Sequence, residues 1–304
     1  MSFSARPHHE WNLRSRSLTL GARTLVMGVL NVTPDSFSDG GQYLAPEKAV
    51  ARALTMLEEG ADIIDIGGES TRPGKRSPVT AHQEQQRVLG VLESILAASP
   101  EAIVSVDTYR AETARLAIAA GVEIVNDVSG FLWDTNMAAT CAQLSCGVIL
   151  MHTRGRPDEW ATLPPLAPAE VAPLVYRELA ERAATALTAG IPRERLVLDP
   201  GFGFGKIGTA NYALLADFSE LVSLGYPLLA GMSRKGFLAA SVEARTGEDA
   251  TAKSRLHATI AAHTAAILAG ASIIRVHDVR PAVEAAAIAD EILHAVNVIP
   301  QAKE

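Results

Sequence analysis

The sequence predicts an α/β fold, a (β/α)8 TIM barrel with an N-terminal β-hairpin, on three observations. Eight short apolar runs rich in Val, Ile and Leu recur along the 304 residues, at 25–30, 63–66, 103–106, 122–125, 148–151, 196–198, 227–230 and 273–276. Helix-like stretches alternate with them, at 46–59, 81–98, 111–120, 135–144, 169–189, 212–224, 250–268 and 281–296. Seven of the runs stop at polar or charged residues: Asn31, Asp65, Asp107, Asn126, Asp199, the Ser233 and Lys235 pair, and Arg275 with His277. Such alternation builds a parallel sheet whose strands all end on one side. Eight repeats suit a closed barrel with its active site at the C-terminal strand ends. An open doubly wound sheet is the structural alternative.

Taken in chain order, residues 13–20 alternate apolar and polar positions before Gly21, and the apolar pattern resumes at 25–30. This predicts a leading hairpin that runs into the first core strand and plugs one end of the barrel. Gly60, Gly121, Gly190, Gly225 and Gly270 fall just past helical stretches, where a left-handed cap favours a residue without Cβ. The length suits one domain over 1–304, since a barrel of about 250 residues absorbs insertions, with residues 1–10 expected to be flexible.

Composition narrows the function. A net charge of −7 argues against nucleic acid, which needs a dense basic stripe. The least polar long stretch, 258–274, is broken by His263, Thr264 and Ser272, so no membrane span is expected. Residues 1–11 lack the apolar core of a signal peptide. Cys141 and Cys146 stand without the partners of a zinc site or a disulfide scaffold. A cytoplasmic protein with reduced thiols is expected.

Two long polar loops follow the first two core strands, Asn31 to Gly41 and Gly67 to Pro78. Loops of that length are often binding loops, although solvated surface is the plain alternative. Arg72 in the second suits an anionic group. Asp107, Asn126 and Asp199 offer acceptors that would match the NH-rich edge of a heterocycle. Helix capping competes for Asp107 and for Asp127. Arg275 and His277 alternate along a strand, so they share a face and would bracket a phosphate or diphosphate, with Asp278 orienting the histidine. An ion-paired cluster with rim carboxylates explains the pair equally well.

Three motifs fail. Gly203-Phe204-Gly205-Lys206-Ile207-Gly208 spells a dinucleotide fingerprint, but the next strand ends in Gly231-Met232 instead of an acid. Gly231-Met232-Ser233-Arg234-Lys235 has Lys where a nucleophile elbow needs Gly. No HExxH is present. His152, alone at a strand end, reads as structural.

Together, the Asn31 to Gly41 loop, residues 67–74, 199–206 and 231–235, and Ile274-Arg275-Val276-His277-Asp278 resemble the dihydropteroate synthase family, in order from about residue 28 to 279. The resemblance implies a transferase and sulfonamide target of folate biosynthesis. Its reaction joins (7,8-dihydropterin-6-yl)methyl diphosphate to 4-aminobenzoate, giving 7,8-dihydropteroate and diphosphate, with Mg²⁺ as cofactor and a homodimer as the assembly. By position, it places Asp107, Asn126, Asp199 and Lys235 in the pterin pocket, with Met151 and Phe204 at its walls. Asn31, Arg275 and His277 correspond to the diphosphate site, Asn31 also as metal ligand. Phe37, Thr71, Arg72 and Ser233 correspond to the 4-aminobenzoate side. Asp107, Lys235, Arg275 and His277 are the implied catalytic residues.

The chemistry agrees, because a neutral arylamine is already a nucleophile and needs no triad. It needs help for a departing diphosphate and for positive charge on the pterin methylene, which Asp107 would stabilise. Family members often carry acids where this chain has His82-Gln83-Glu84-Gln85-Gln86, and a Gly near Ala258; these changes are expected on helix surfaces and packing. Asp65 is expected to support the second loop, in which Lys75 and Arg76 add unusual charge. Two other readings stay open: methyl transfer from a methylated folate to a corrinoid protein, and a non-catalytic pterin binder.

Overall fold

Parallel strands β3 (Leu25–Asn31), β4 (Ile63–Gly67), β5 (Ile103–Asp107), β6 (Ile124–Asp127), β7 (Gly147–Met151), β8 (Leu196–Asp199), β9 (Leu229–Ala230) and β10 (Ile273–Val276) form one sheet in the computed structural model. Their spatial order is β8-β7-β6-β5-β4-β3-β10-β9. A parallel bridge between Leu198 and Leu228, with Leu198 N–H donating to Pro227 O at 3.0 Å, closes the ends into the expected (β/α)8 barrel. The structure describes residues 3–32, 45–69, 79–249, 251 and 255–298.

The outer layer is α1 (Ala45–Glu58), α2 (Ala81–Ala98), α3 (Ala111–Ala119), α4 (Met137–Leu144), α5 (Pro168–Thr188), α6 (Ala210–Ala216), α7 (Gly236–Thr246), α8 (Leu256–Leu268) and α9 (Val279–Val298). Two helical expectations need correction. The stretch 212–224 breaks at Asp217 into α6 and a 3-10 helix, Phe218–Leu224. Among the described residues of the stretch 250–268 the helix is α8, and a further helix, α7, begins directly after Lys235. α7 is hard to see in the sequence because it buries only Phe237, Leu238 and Ala239 near its start, so no apolar stripe repeats along it.

The hairpin is present, one strand earlier than the alternation at 13–20 suggests: β1 (His9–Asn12) pairs antiparallel with β2 (Ser17–Leu20). Trp11, Leu13 and Leu20 pack with Leu25, Met27, Ile63, Ile124, Ile149, Val197, Leu229 and Ile273. These are inward positions at the lower ends of the strands, so the hairpin plugs that end of the barrel. A Cβ at Gly147 would come 2.7 Å from Leu13 Cδ2, which explains a glycine at the start of β7. Arg6, within the segment expected to be flexible, is buried and donates to Ala271 O at 3.0 Å while pairing with Asp290.

With its lower end filled by apolar side chains, the barrel opens only upward. Side chains point inward at every second residue of a strand. Ile63–Asp65, Ile103–Ser105–Asp107, Ile124–Asn126, Val197–Asp199 and Ile273–Arg275 therefore climb from an apolar floor to a polar mouth. The switch from Ile or Val to Asp, Asn or Arg within each strand is what turns a core into a site.

Candidate active site

The mouth is a cavity of about 690 Å³ lined by Asn31, Glu69, Asp107, Phe204, Lys206, Ser233, Lys235, Arg275 and His277, among others. Of the residues expected from sequence, Asn126, Met151 and Asp199 lie beneath this lining and are buried. Phe37, Thr71 and Arg72 lie outside the described residues, as do Lys75 and Arg76.

Arg275 is the centre of the charge arrangement. Its Nε donates to Asp65 Oδ2 at 2.6 Å and its Nη2 to Asp107 Oδ2 at 2.6 Å. Asp65 Oδ2 also accepts from Asn126 Nδ2 at 3.0 Å. Asp65 is fully buried in the barrel interior, and most of the second loop it was expected to support lies outside the described residues. Spacing carried the signal, because Asp65 stands two residues after inward-facing Ile63. Although burial opposes it, the two carboxylates hold the guanidinium charged more firmly than usual. Burial pushes Asp107 up to about 7, against the pull of Arg275 and with repulsion from Asp65 adding to it. One guanidinium thus serves two carboxylates, and the cluster keeps an excess of acid.

Asp199 is shaped by the turn that follows β8. Its Oδ1 accepts the Gly201 N–H at 2.7 Å, and Gly201 takes a φ of +65°. A Cβ there would stand 1.9 Å from His152 O, so this glycine, two residues before the failed fingerprint, serves a close backbone approach. Burial raises Asp199 to about 6, although Gly201 N–H, Lys235 and Arg275 pull it down. A buried acid with a raised value favours the fold at low pH and loses that contribution as pH rises through the folded value. The sign gives a prediction: Asp199→Asn should gain stability relative to the unchanged chain between pH 4 and 8. The gain is about 3 kcal/mol, from about two pKa units at about 1.4 kcal/mol each. Urea denaturation at both pH values measures it, and a constant difference would refute the assigned burial cost.

The same loop builds one wall. Lys235 Nζ sits over the Phe204 ring, 4.0 Å from its centroid. Phe204 in turn meets Trp160 edge-on at 5.2 Å, and both pack with Val128 and Met151. Below it, Lys206 is buried, its Nζ donating to Phe204 O at 3.1 Å and lying 2.8 Å from His152 Nδ1. Burial drives His152 down to about 3 and Lys206 well below its ordinary value. Trp160 was not foreseen as a site residue, and neither was the pairing of Lys206 with His152; these two are 54 residues apart, and no local pattern joins them.

Beside this wall, at the ends of β9 and β10, Ser233 Oγ accepts the His277 backbone N–H at 3.1 Å and lies 3.0 Å from His277 Nδ1. Sequence reading placed these two on different sides of the site, and the fold puts them in contact. Asp278 does not orient His277; it holds Arg234 through two hydrogen bonds at 3.0 and 2.6 Å. Asp127 caps no helix, since α4 begins only at Met137; it braces the turn after β6, accepting Ser129 N–H at 2.7 Å and Phe131 N–H at 2.9 Å. Glu84 is not on a helix surface: it is buried and pairs with Arg110 at 3.0 Å, which also holds Glu69 at 2.8 Å.

Fold and mouth together define a barrel enzyme whose interior carboxylates, amide and cations converge at the C-terminal strand ends. A family model described as pterin binding enzyme matches residues 27–277. Dihydropteroate synthase of Streptococcus pyogenes serotype M6 is 42% identical over 268 residues, covering 88% of this chain and 95% of that one. The dihydropteroate synthase of Xanthomonas albilineans solved with 4-aminobenzoic acid is 41% identical, with a TM-score of 0.84 over 97% of this chain and 100% of that one. The same enzyme in complex with 7,8-dihydropteroate is 40% identical, with a TM-score of 0.80 over 96% of this chain and 100% of that one. The chain belongs to the dihydropteroate synthase family of pterin-binding enzymes.

Proposed function

We propose that this protein condenses (7,8-dihydropterin-6-yl)methyl diphosphate with 4-aminobenzoate, giving 7,8-dihydropteroate and diphosphate. The observation that carries it is the barrel mouth itself, where Asp107, Lys235, Arg275 and His277 surround one cavity above buried Asn126 and Asp199. Methyl transfer to a corrinoid would leave the cationic rim without a leaving group to hold.

Asp199 and Asn126 would take the NH-rich edge of the pterin, with Lys235 on its acceptor side and Phe204 and Met151 as walls. The carbon–oxygen bond at the pterin methylene breaks and the diphosphate leaves with the electron pair. The amine of 4-aminobenzoate forms the carbon–nitrogen bond and then releases a proton. Asp107 would stabilise the cationic methylene, a preorganised charge that needs no rearrangement at the moment of reaction. Arg275 and His277 would receive the diphosphate, with Ser233 holding His277; Ser233, Phe37, Thr71 and Arg72 are proposed to serve 4-aminobenzoate.

Asn31 fits a role toward Mg²⁺, being a hard oxygen donor at the end of β3 on the cavity wall. Among the described residues, no group of three or more His, Cys, Asp or Glu could hold a metal alone. Mg²⁺ commonly keeps several waters and relies on substrate phosphates, so a single protein donor is in keeping with it. When bound, the ion would neutralise charge on the departing diphosphate.

Among the described residues no helix is long and apolar enough to cross a membrane. Cys141 and Cys146 are free and buried, which suits the cytoplasm as the proposed location. A homodimer is proposed through the outer faces of α8 and α9, where Ile288 is 65% exposed; the mass in solution tests it. The deciding experiment for the reaction is diphosphate release that requires both substrates and Mg²⁺. Release that ignores 4-aminobenzoate, or none at all, would end the proposal.

A further inference from the structure

Asp65 touches both halves of the mouth with a single atom. Its Oδ2 accepts from Asn126 Nδ2 at 3.0 Å and from Arg275 Nε at 2.6 Å. Asn126 stands on the proposed pterin side and Arg275 on the proposed diphosphate side. Among the described residues, the other oxygen, Oδ1, is buried with no hydrogen-bond partner, and so is Ser105 Oγ at the neighbouring register position. The carboxylate is therefore held in place by Asn126 and Arg275, and a shift of either group is passed to the other. Arg275 reaches Asp107 with a second nitrogen, so its orientation decides how it is shared between that carboxylate and an incoming anion.

We propose that Asp65 is a positioning residue coupling the two halves of the site: a pterin engaging Asn126 fixes Asp65 Oδ2, which sets the Arg275 guanidinium for the diphosphate. The inference rests on the proposed reaction for the identity of the two ligands. Its physical content is a coupling free energy, which must be reciprocal between the two sites.

Calorimetry with two probes reads it without turnover: 6-hydroxymethyl-7,8-dihydropterin, and inorganic diphosphate with Mg²⁺. In the unchanged chain each probe should tighten the other by about fivefold or more. Asp65→Asn keeps the shape and one acceptor but removes the charge. It should abolish that mutual tightening and lower kcat by about a hundredfold, the scale of a 1 Å misplacement, with the KM for 4-aminobenzoate unchanged. A purely structural role would lower thermal stability without erasing the coupling. Should Asp65→Asn fail to fold, Asn126→Ser supplies the second arm: it should weaken inorganic diphosphate although Asn126 does not belong to the proposed diphosphate set. Independent binding of the probes, coupling that survives Asp65→Asn, or diphosphate affinity untouched by Asn126→Ser would each overturn the proposal. A chain that couples the probes but releases no diphosphate with 4-aminobenzoate would refute the reaction and leave the coupling standing.

Discussion

Arg275→Ala should lose both activity and stability, and the two losses should separate with pH. The guanidinium is the charge partner of fully buried Asp65 and of Asp107, each at 2.6 Å. Removing it strands two carboxylates around one interior point, and breaking a buried pair by deleting one partner costs about 3–5 kcal/mol. The stability deficit should be largest at neutral and alkaline pH, then shrink on acidification as a proton neutralises the stranded Asp107. Turnover should stay low at every pH, because protonating carboxylates restores no cation for the diphosphate. Arg275→Lys should recover part of the stability and less of the activity, since an ammonium is a point charge and cannot span two carboxylates as the planar fork does. Urea denaturation from pH 5 to 8, beside diphosphate release, measures both. An Arg275→Ala chain of unchanged stability at pH 8 would mean that the cluster carries no such energy.

That experiment also bears on what the sequence could reveal. The barrel was legible because its signals are local: eight apolar runs, the helices between them and glycine caps all lie within a few residues of each other. The mouth follows from one geometric rule, since parallel strands end together, and so Asp107, Asn126, Asp199 and Arg275 are legible as residues of the upper strand ends. The partners were not legible. Arg275 meets Asp65 across 210 positions, and Asp107 across 168, and spacing along the chain says nothing about pairings at that distance. Sequence reading put Asp107 with the pterin and Arg275 with the diphosphate, whereas the fold joins them through one hydrogen bond.

Two misplacements have the same physical origin. Asp278 follows His277 directly and was expected to orient it, but adjacent residues on a strand end point apart, and Asp278 meets Arg234 instead. Glu84 lies in a polar stretch that reads as helix surface, yet Arg110 and Thr113 on the next βα unit turn it into a buried acid. Both corrections come from a neighbouring unit of the barrel. Repeated folds hide their most important contacts between repeats, and the Asp65–Arg275–Asp107 cluster spans three of them.

Asp107→Asn should leave pterin binding nearly intact and lower turnover by about 10²–10³-fold, the usual loss when a preorganised electrostatic group is removed. The substitution keeps volume and an acceptor oxygen, so Arg275 Nη2 retains a partner and Asp65 still holds Nε. What disappears is a negative charge beside the methylene as its bond to the diphosphate breaks. The difference is confined to the transition state, so it should appear in kcat and not in calorimetric affinity for the pterin without its diphosphate. The pH profile supplies a second reading. With Asp107 raised to about 7, the unchanged protein should gain activity as pH rises through that value, because the carboxylate is the useful form. Asp107→Asn should be slow at every pH and lose that rising limb. Equal loss of pterin affinity and turnover would instead make Asp107 a binding acceptor, and the stabilising charge would have to come from another residue of the mouth.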